Sequence, residues 1–103
     1  MMKIKYNLDK NTLYIYLIGE LDECSASKCR DAIDKLILDV GLVNKIVFNL
    51  SGLTFMDSTG IGMLIGRYKK VKSIGANAFL ESPTPAVEKI LQVSGLYKIM
   101  PKI

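Results

Sequence analysis

One serine in this chain stands where its hydroxyl could take part in chemistry. Ser58 lies in the segment FMDSTGIG at residues 55–62, where small residues surround it. The preceding residues 45–50 are a short, β-branched and apolar run that predicts a fully buried strand, and residues 51–52 are expected to end it. Apolar residues at helical spacing follow, so we expect Ser58 to be presented at a strand-to-helix turn.

The helix predicted after Ser58 carries glycines on its outward side. Its two faces are an apolar stripe of Ile61, Leu64, Ile65, Tyr68 and Val71, and an outward set of Gly62, Met63, Gly66, Lys70 and Ser73. An interior helical glycine costs about 1 kcal/mol relative to alanine, so two of them on an exposed face need compensation. Two interpretations are open: another element of the fold packs closely there, or a partner protein approaches the backbone beside Ser58.

The hydroxyl itself also has two interpretations. Asp57, Ser58 or Thr59 could cap the helix, because these residue types are preferred at the N-cap. Alternatively, phosphorylation of Ser58 would add close to two negative charges where free N–H groups and the helix dipole hold a phosphate. Together with Asp57, that charge would repel a protein docked on the glycine face, which is the chemistry of a binding switch. Capping and orientation of the serine are compatible roles for Asp57.

The composition argues against catalytic and metal chemistry. The 103 residues include no histidine, which removes Ser-His and Cys-His nucleophiles and the commonest metal ligand. Cys24 and Cys29 are too few for a usual zinc site, so we expect reduced thiols, with Cys29 on the apolar face of a helix. We therefore expect no metal, no cofactor and no enzymatic activity of the chain itself.

Basic residues are concentrated near the end of the Ser58 helix. The formal net charge is +4, and the main cluster comprises Arg67, Lys69, Lys70 and Lys72. Cations there complement the negative end of the helix dipole, and no aromatic side chains lie between them for base stacking. We interpret the cluster as a solvated helix end, and we expect no nucleic-acid partner.

Length and hydropathy predict one small domain. A chain of 103 residues with 50% hydrophobic content suffices for a single core, and no apolar run approaches the ~18 residues of a membrane span. No leader with a charged and then an apolar part begins at Met1. We expect a single cytoplasmic domain over residues 1–103, without a membrane partner and monomeric when free.

The order of apolar segments predicts alternating strands and helices. The predicted elements are a strand at 3–8, a turn at 9–11, a strand at 13–18, a helix from near Ser25 to Gly41, a strand at 45–50, the Ser58 helix to Gly75, a strand at 77–81, a helix capped by Thr84-Pro85 and ended by Gly95, and a short final strand within 98–103. Such alternation predicts an α/β fold. We expect a mixed, mostly parallel sheet of four to five strands with helices packed on it and an antiparallel first strand at its edge.

Sites in such folds gather at the carboxyl ends of the strands, which would bring residues 19–22 and 56–58 to one rim. Acidic residues on that rim are expected to meet basic groups of a partner. Ordinary loop solvation is the alternative, and for Glu23 it is at least as well supported. The predicted partner-binding residues are Glu20, Asp22, Glu23, Asp57, Ser58, Thr59, Gly60, Ile61, Gly62 and Gly66.

Four segments in order resemble a known family. They are GELD at 19–22, FMDSTGIG at 55–62, LIGRYKK at 64–70 and SGLYKI at 94–99. Together they resemble the bacterial anti-sigma factor antagonists, which are single STAS domains, and among these the sporulation anti-anti-sigma factors. The resemblance covers nearly the whole chain, from Met1 to about Met100, and the combination is far more specific than any one motif.

The resemblance implies a partner switch controlled by phosphorylation. Ser58 corresponds to the serine phosphorylated by the anti-sigma factor, an ATP-dependent protein kinase that also inhibits a sigma factor, and Thr59 stands where many relatives have a second serine. The unphosphorylated chain would bind the kinase and release the sigma factor, and a PP2C-type phosphatase would reset the phosphorylated chain. Family members usually continue past the position of Ile103 with a final helix, which is expected to be absent here.

Three other functions stay open. A general-stress anti-anti-sigma factor of the same family would use the same surface with a different kinase. A nucleotide-binding module is weakly allowed by Gly60 and Gly62 at a helix start, although the pattern Gly-x-x-x-x-Gly-Lys-Ser/Thr does not occur. A constitutive scaffold would work without phosphorylation.

Overall fold

Strands and helices alternate along the chain as predicted. The computed structural model describes residues 2–103, so Met1, the first residue of the predicted domain, lies outside it. The elements are β1 (Met2–Asp9), β2 (Thr12–Leu21), α1 (Ala26–Val40), β3 (Lys45–Met56), α2 (Ser58–Ser73), β4 (Asn77–Glu81), α3 (Pro85–Ser94) and a 3-10 turn at Leu96–Lys98. The predicted α/β class is confirmed.

The four strands form one mixed sheet in the order β1-β2-β3-β4. β1 pairs with β2 antiparallel, through a turn in which Lys10 has a φ of 56°. β2 with β3, and β3 with β4, pair in parallel, because α1 and α2 return the chain to the same end of the sheet each time. The prediction of an antiparallel edge strand followed by parallel pairing is confirmed.

The core lies where the helices cover the sheet. In β2, Leu13, Ile15 and Leu17 are fully buried, whereas Tyr14 and Tyr16 between them are partly exposed, so this strand has one covered face. Side chains from the helices complete the same cluster, among them Cys29, Ile33, Ile37, Leu64, Val71, Val87 and Leu91. The sheet and the helices that present the Ser58 region therefore share one core.

Two strands are longer than predicted. β3 does not end at residues 51–52 but continues to Met56, and β2 continues to Leu21. At Gly52 the two strands run so close that a Cβ atom would lie 2.9 Å from Cγ1 of Ile18, next to a shift in the pairing register. The glycine is required by this close approach and not by a chain turn, which is why the predicted end was wrong.

The predicted final strand is not formed. Residues 96–98 make the 3-10 turn, and Lys102 forms an isolated bridge with Leu80. The backbone N–H of Leu80 donates to the carbonyl of Pro101, and that of Ile103 donates to the carbonyl of Leu80. Within residues 2–103 the sheet therefore has four strands, the lower number of the predicted range.

An ion pair joins α1 to α2. Nε of Arg67 lies 3.0 Å from Oδ1 of Asp34, and Nζ of Lys70 lies 3.9 Å from Oδ2 of the same carboxylate. The close pair is not aligned as a hydrogen bond, so the attraction is electrostatic. Arg67 is 8% exposed, and its assignment to a solvated cluster was wrong because α1 covers this side of α2.

Cys29 is part of the core, as predicted. Its thiol is free and buried, whereas the free thiol of Cys24 is exposed. Burial raises the pKa of Cys29 to about 11, although the nearby charge of Arg67 opposes the shift. The thiol is therefore protonated at neutral pH and packs as a small apolar group.

Gly52→Ala tests the close approach of β2 and β3. We expect it to lower the free energy of unfolding by about 1–3 kcal/mol, because the added methyl group overpacks against Ile18. Gly62→Ala is the matched control, since nothing lies within 4 Å of its added Cβ. The control should raise stability by up to about 1 kcal/mol through helix propensity. Urea unfolding measures both, and equal stability of Gly52→Ala and the parent chain would contradict the account.

Candidate functional site

The ends of β2 and β3 bring the two predicted motifs together. Leu21 is paired with Met56 and Glu20 with Phe55, and the backbone N–H of Asp57 donates to the carbonyl of Leu21 over 3.3 Å. Residues 19–22 and 56–58 therefore share one rim, as the predicted strand directions require. The rim is fixed by backbone pairing and not by flexible side chains.

Asp57 is the residue that caps α2. Its carboxylate accepts a hydrogen bond from the N–H of Gly60 at 3.1 Å, and its carbonyl accepts from Ile61 at 3.2 Å. Ser58 and Thr59 begin the helix, are exposed, and form no side-chain hydrogen bond with any described residue. Because Asp57 supplies the cap, the hydroxyl of Ser58 is left available to another molecule.

Gly60 and Ile61 do not belong to the exposed surface, which corrects their predicted place in it. Gly60 is buried, and a Cβ there would lie 2.6 Å from Cγ of Met56 and 3.0 Å from Cγ of Leu21. Ile61 is also buried and joins the core cluster. Gly60 thus allows the start of α2 to sit directly on the strand ends.

Gly62 and Gly66 are different, because space beside them is open. Nothing among the described residues lies within 4 Å of a Cβ built at either position. Close packing by another described element therefore does not explain these two glycines. Met63 was predicted on the same outward face but is buried, since it turns towards α1.

A groove runs between the first turns of α1 and α2, and we call it the switch groove. Its volume is about 490 Å³. The α2 side is formed by Thr59, Gly62, Met63, Gly66 and Arg67, and the α1 side by Glu23, Ala26, Ser27 and Arg30. Glu23 was among the predicted residues, whereas Ala26, Ser27 and Arg30 of α1 were not. The signal available was the polar face of α1, where Ser27 and Arg30 lie three residues apart.

The acidic loop between β2 and α1 is held by its own side chains. The carboxylate of Asp22 accepts hydrogen bonds from the N–H groups of Cys24 (2.9 Å) and Ser25 (3.1 Å). The hydroxyl of Ser25 donates to the carbonyl of Glu20 at 2.8 Å. Asp22 therefore shapes the loop, while Glu20 and Glu23 are exposed beside the groove. Contact of these three acids with a partner stays a prediction.

Residues 2–103 contain no group of three His, Cys, Asp or Glu side chains arranged to hold a metal ion. Over the same residues, no helix is long and apolar enough to cross a bilayer. What the site offers chemically is an exposed hydroxyl at a helix N-terminus beside bare helical backbone. Such an arrangement can accept a phosphate and can receive a closely approaching protein surface.

The chain is similar to known proteins over nearly its whole length. The STAS domain family matches residues 3–103. An anti-sigma F factor antagonist of Lysinibacillus sphaericus is 38% identical over 87 residues, which is 84% of this chain and 74% of that protein.

Solved structures of the anti-sigma factor antagonist SpoIIAA are also similar. Its unphosphorylated form is 32% identical with a TM-score of 0.78, and the match covers 100% of this chain and 88% of that chain. The phosphorylated form of the Bacillus protein is 31% identical with a TM-score of 0.70, covering 100% and 91%. The chain therefore belongs to the STAS domain family and, within it, to the anti-sigma factor antagonists.

Proposed function

We propose that this protein is an anti-anti-sigma factor that works by exchange of partners. Its unphosphorylated form binds an anti-sigma factor serine kinase through the switch groove and the adjoining rim, and the sigma factor is released for sporulation transcription. The observation that carries the proposal is the exposed Ser58 beside the open backbone at Gly62 and Gly66. The similarity to antagonists of anti-sigma factors supports it.

Phosphorylation of Ser58 is the proposed off switch. A phosphate on the first residue of α2 would be stabilised by the N-terminal N–H groups and the helix dipole. It would also add close to two negative charges next to Thr59, which lines the switch groove. A partner that approaches the glycine backbone would then meet both a larger group and a repulsive charge. The existence of both an unphosphorylated and a phosphorylated SpoIIAA supports this regulation.

In this scheme the chain is a protein substrate and a binding module, without catalytic activity of its own. The kinase binds ATP and the metal ion and provides the catalytic base, so Asp57 need not act as a base for Ser58. A PP2C-type phosphatase removes the phosphate from Ser58 and restores binding. The protein acts in the cytoplasm and is a monomer when free, and residues 1–103 form one domain.

The sporulation pathway is favoured over the general-stress pathway by one comparison. The relative from Lysinibacillus sphaericus is an anti-sigma F factor antagonist. A general-stress factor would use the same groove with another kinase, so the two assignments differ in partner and not in mechanism. Relative affinity for the two kinases separates them.

Substitution of Ser58 tests the switch. Ser58→Ala should bind the anti-sigma kinase with an affinity close to that of the parent chain, because the hydroxyl forms no hydrogen bond with a described residue. Ser58→Asp should bind at least about tenfold more weakly, because its carboxylate stands next to Thr59, which lines the switch groove. Calorimetric titration against the purified kinase measures both. Tight binding of Ser58→Asp would refute the charge mechanism, and failure of the parent chain to bind would refute the function.

Gly62→Leu separates docking from folding. A leucine side chain would occupy the open space that the partner is proposed to fill, and we expect at least about tenfold weaker kinase binding. Stability should not fall, because leucine is a better helix former than glycine and its Cβ meets no neighbour within 4 Å. The control is Gln92→Leu on the exposed side of α3, which should change neither property. Kinase affinity of Gly62→Leu equal to that of the control would place docking elsewhere.

A further inference from the structure

A second groove, which we call the distal groove, lies at the other end of α1 and α2. Its volume is about 460 Å³, and its walls include Lys35, Leu38, Leu42, Val43, Lys70 and Ile74. Leu42 is 98% exposed, Leu38 is 80% exposed and Ile74 is 48% exposed. Single exposed leucines are ordinary, but three large apolar side chains around one groove are typical of an interaction site.

The fold gives these apolar side chains no role of their own. α1 ends at Val40, and Leu42 stands in the connection to β3 with almost its full surface in solvent. Leu38 lies on a different face of α1 from the buried Ile33 and Ile37. A polar residue at either position would leave the core intact, so the fold itself does not require an apolar side chain there.

The charges beside the distal groove indicate what kind of molecule fits. The charged side chains on this half of α1 and at residues 67–70 of α2 are mostly basic: Lys35, Arg67, Lys69 and Lys70, against Asp34 and Asp39. Lys72 faces the opposite side of α2, where its Nζ donates to Oδ1 of Asn77. Both carboxylates are already paired, Asp39 with Lys35 at 2.8 Å and Asp34 with Arg67 at 3.0 Å. Lys70 shares Asp34 with Arg67 at the longer distance of 3.9 Å, and Lys69 has no carboxylate partner among the described residues.

This excess of positive charge argues against a second copy of the chain as the occupant. A twofold dimer places the same patch on both sides of the interface, so the lysines of one copy would face those of the other. A partner that presents an apolar side chain next to carboxylates would instead gain both apolar burial and electrostatic attraction.

The distal groove adjoins the switch groove. Arg67 lines the switch groove and Asp34 lines the distal groove, and the ion pair between them forms the boundary. From Ser58 to Ile74 the helical rise amounts to roughly 24 Å. A protein interface of ordinary size, about 800 Å² on each partner, extends over such a distance.

We propose that the distal groove is a second anchor for the anti-sigma kinase. It receives an apolar side chain of the kinase between Leu38, Leu42 and Ile74, with a kinase carboxylate facing Lys70. The inference rests on the proposed function. Because the anchor is remote from Ser58, it contributes equally to binding of the unphosphorylated and the phosphorylated chain, and the switch groove alone senses the phosphate.

The double variant Leu38→Ser/Leu42→Ser tests this anchor by titration against the purified kinase. We expect at least about tenfold weaker binding, because the variant loses the apolar surface that both leucines would bury against the kinase. The matched control is Val93→Ser, a residue on α3 that is 88% exposed, and it should bind within about twofold of the parent chain. All these side chains are exposed, so urea unfolding should be unchanged in both variants.

Combination with Ser58→Asp tests independence of the two anchors. The leucine substitutions should reduce the affinity for the kinase by the same factor in the chain with Ser58 as in the Ser58→Asp chain. Substitutions at sites this far apart usually act additively. Equal kinase affinity of the double variant and the parent chain would overturn the inference while the proposed function stands. A parent chain that dimerises in gel filtration through these leucines, with kinase affinity unaffected, would overturn it in favour of a second copy. A parent chain that does not bind the kinase would overturn both.

Discussion

The close packing of the start of α2 on the ends of β2 and β3 determines how this protein can act. Gly60 has no side chain, and only for that reason can the helix approach Leu21 and Met56 so closely. The Asp57 cap and its backbone hydrogen bond to Leu21 fix the helix in the same place. Because the first turn of α2 packs on the strand ends, Ser58 and Thr59 are exposed on its other side. Ser58 is thus presented by rigid elements, and the proposed kinase would meet it without reordering the chain.

The second constraint is the contact between α1 and α2. The Asp34–Arg67 pair holds the two helices together at mid-length, and on either side of it they leave a groove. One groove is lined by bare backbone and the other by exposed leucines. Both features cost the isolated domain stability or solubility, and a partner that covers them offers the compensation that the fold does not. The features that are unfavourable for the isolated domain therefore lie on the same pair of helices as the proposed binding surface.

Much of this was visible in the sequence, because apolar periodicity and helix caps are local signals. The order of elements, the Gly41, Gly75 and Gly95 stops and the shared rim followed from them. Tertiary contacts decided the rest. The glycines show this: Gly52 lets two strands approach closely, Gly60 lets a helix pack on strand ends, and Gly62 lies beside open space. No local sequence pattern distinguishes these three roles. Arg67 is buried because it pairs with Asp34 of α1. The residue pattern of α2 alone contains no information about that neighbouring helix.

The central claim is that Ser58 alone carries the phosphate that controls binding. Site-resolved mass spectrometry of the purified chain, after incubation with the anti-sigma kinase and ATP, tests it most directly, with Ser58→Ala as the control. We expect one phosphate, on Ser58, none on the Ser58→Ala chain, and loss of kinase binding by the modified protein. Phosphate on Thr59 or elsewhere, or no phosphate at all, would contradict it and leave a STAS domain whose binding is regulated in another way.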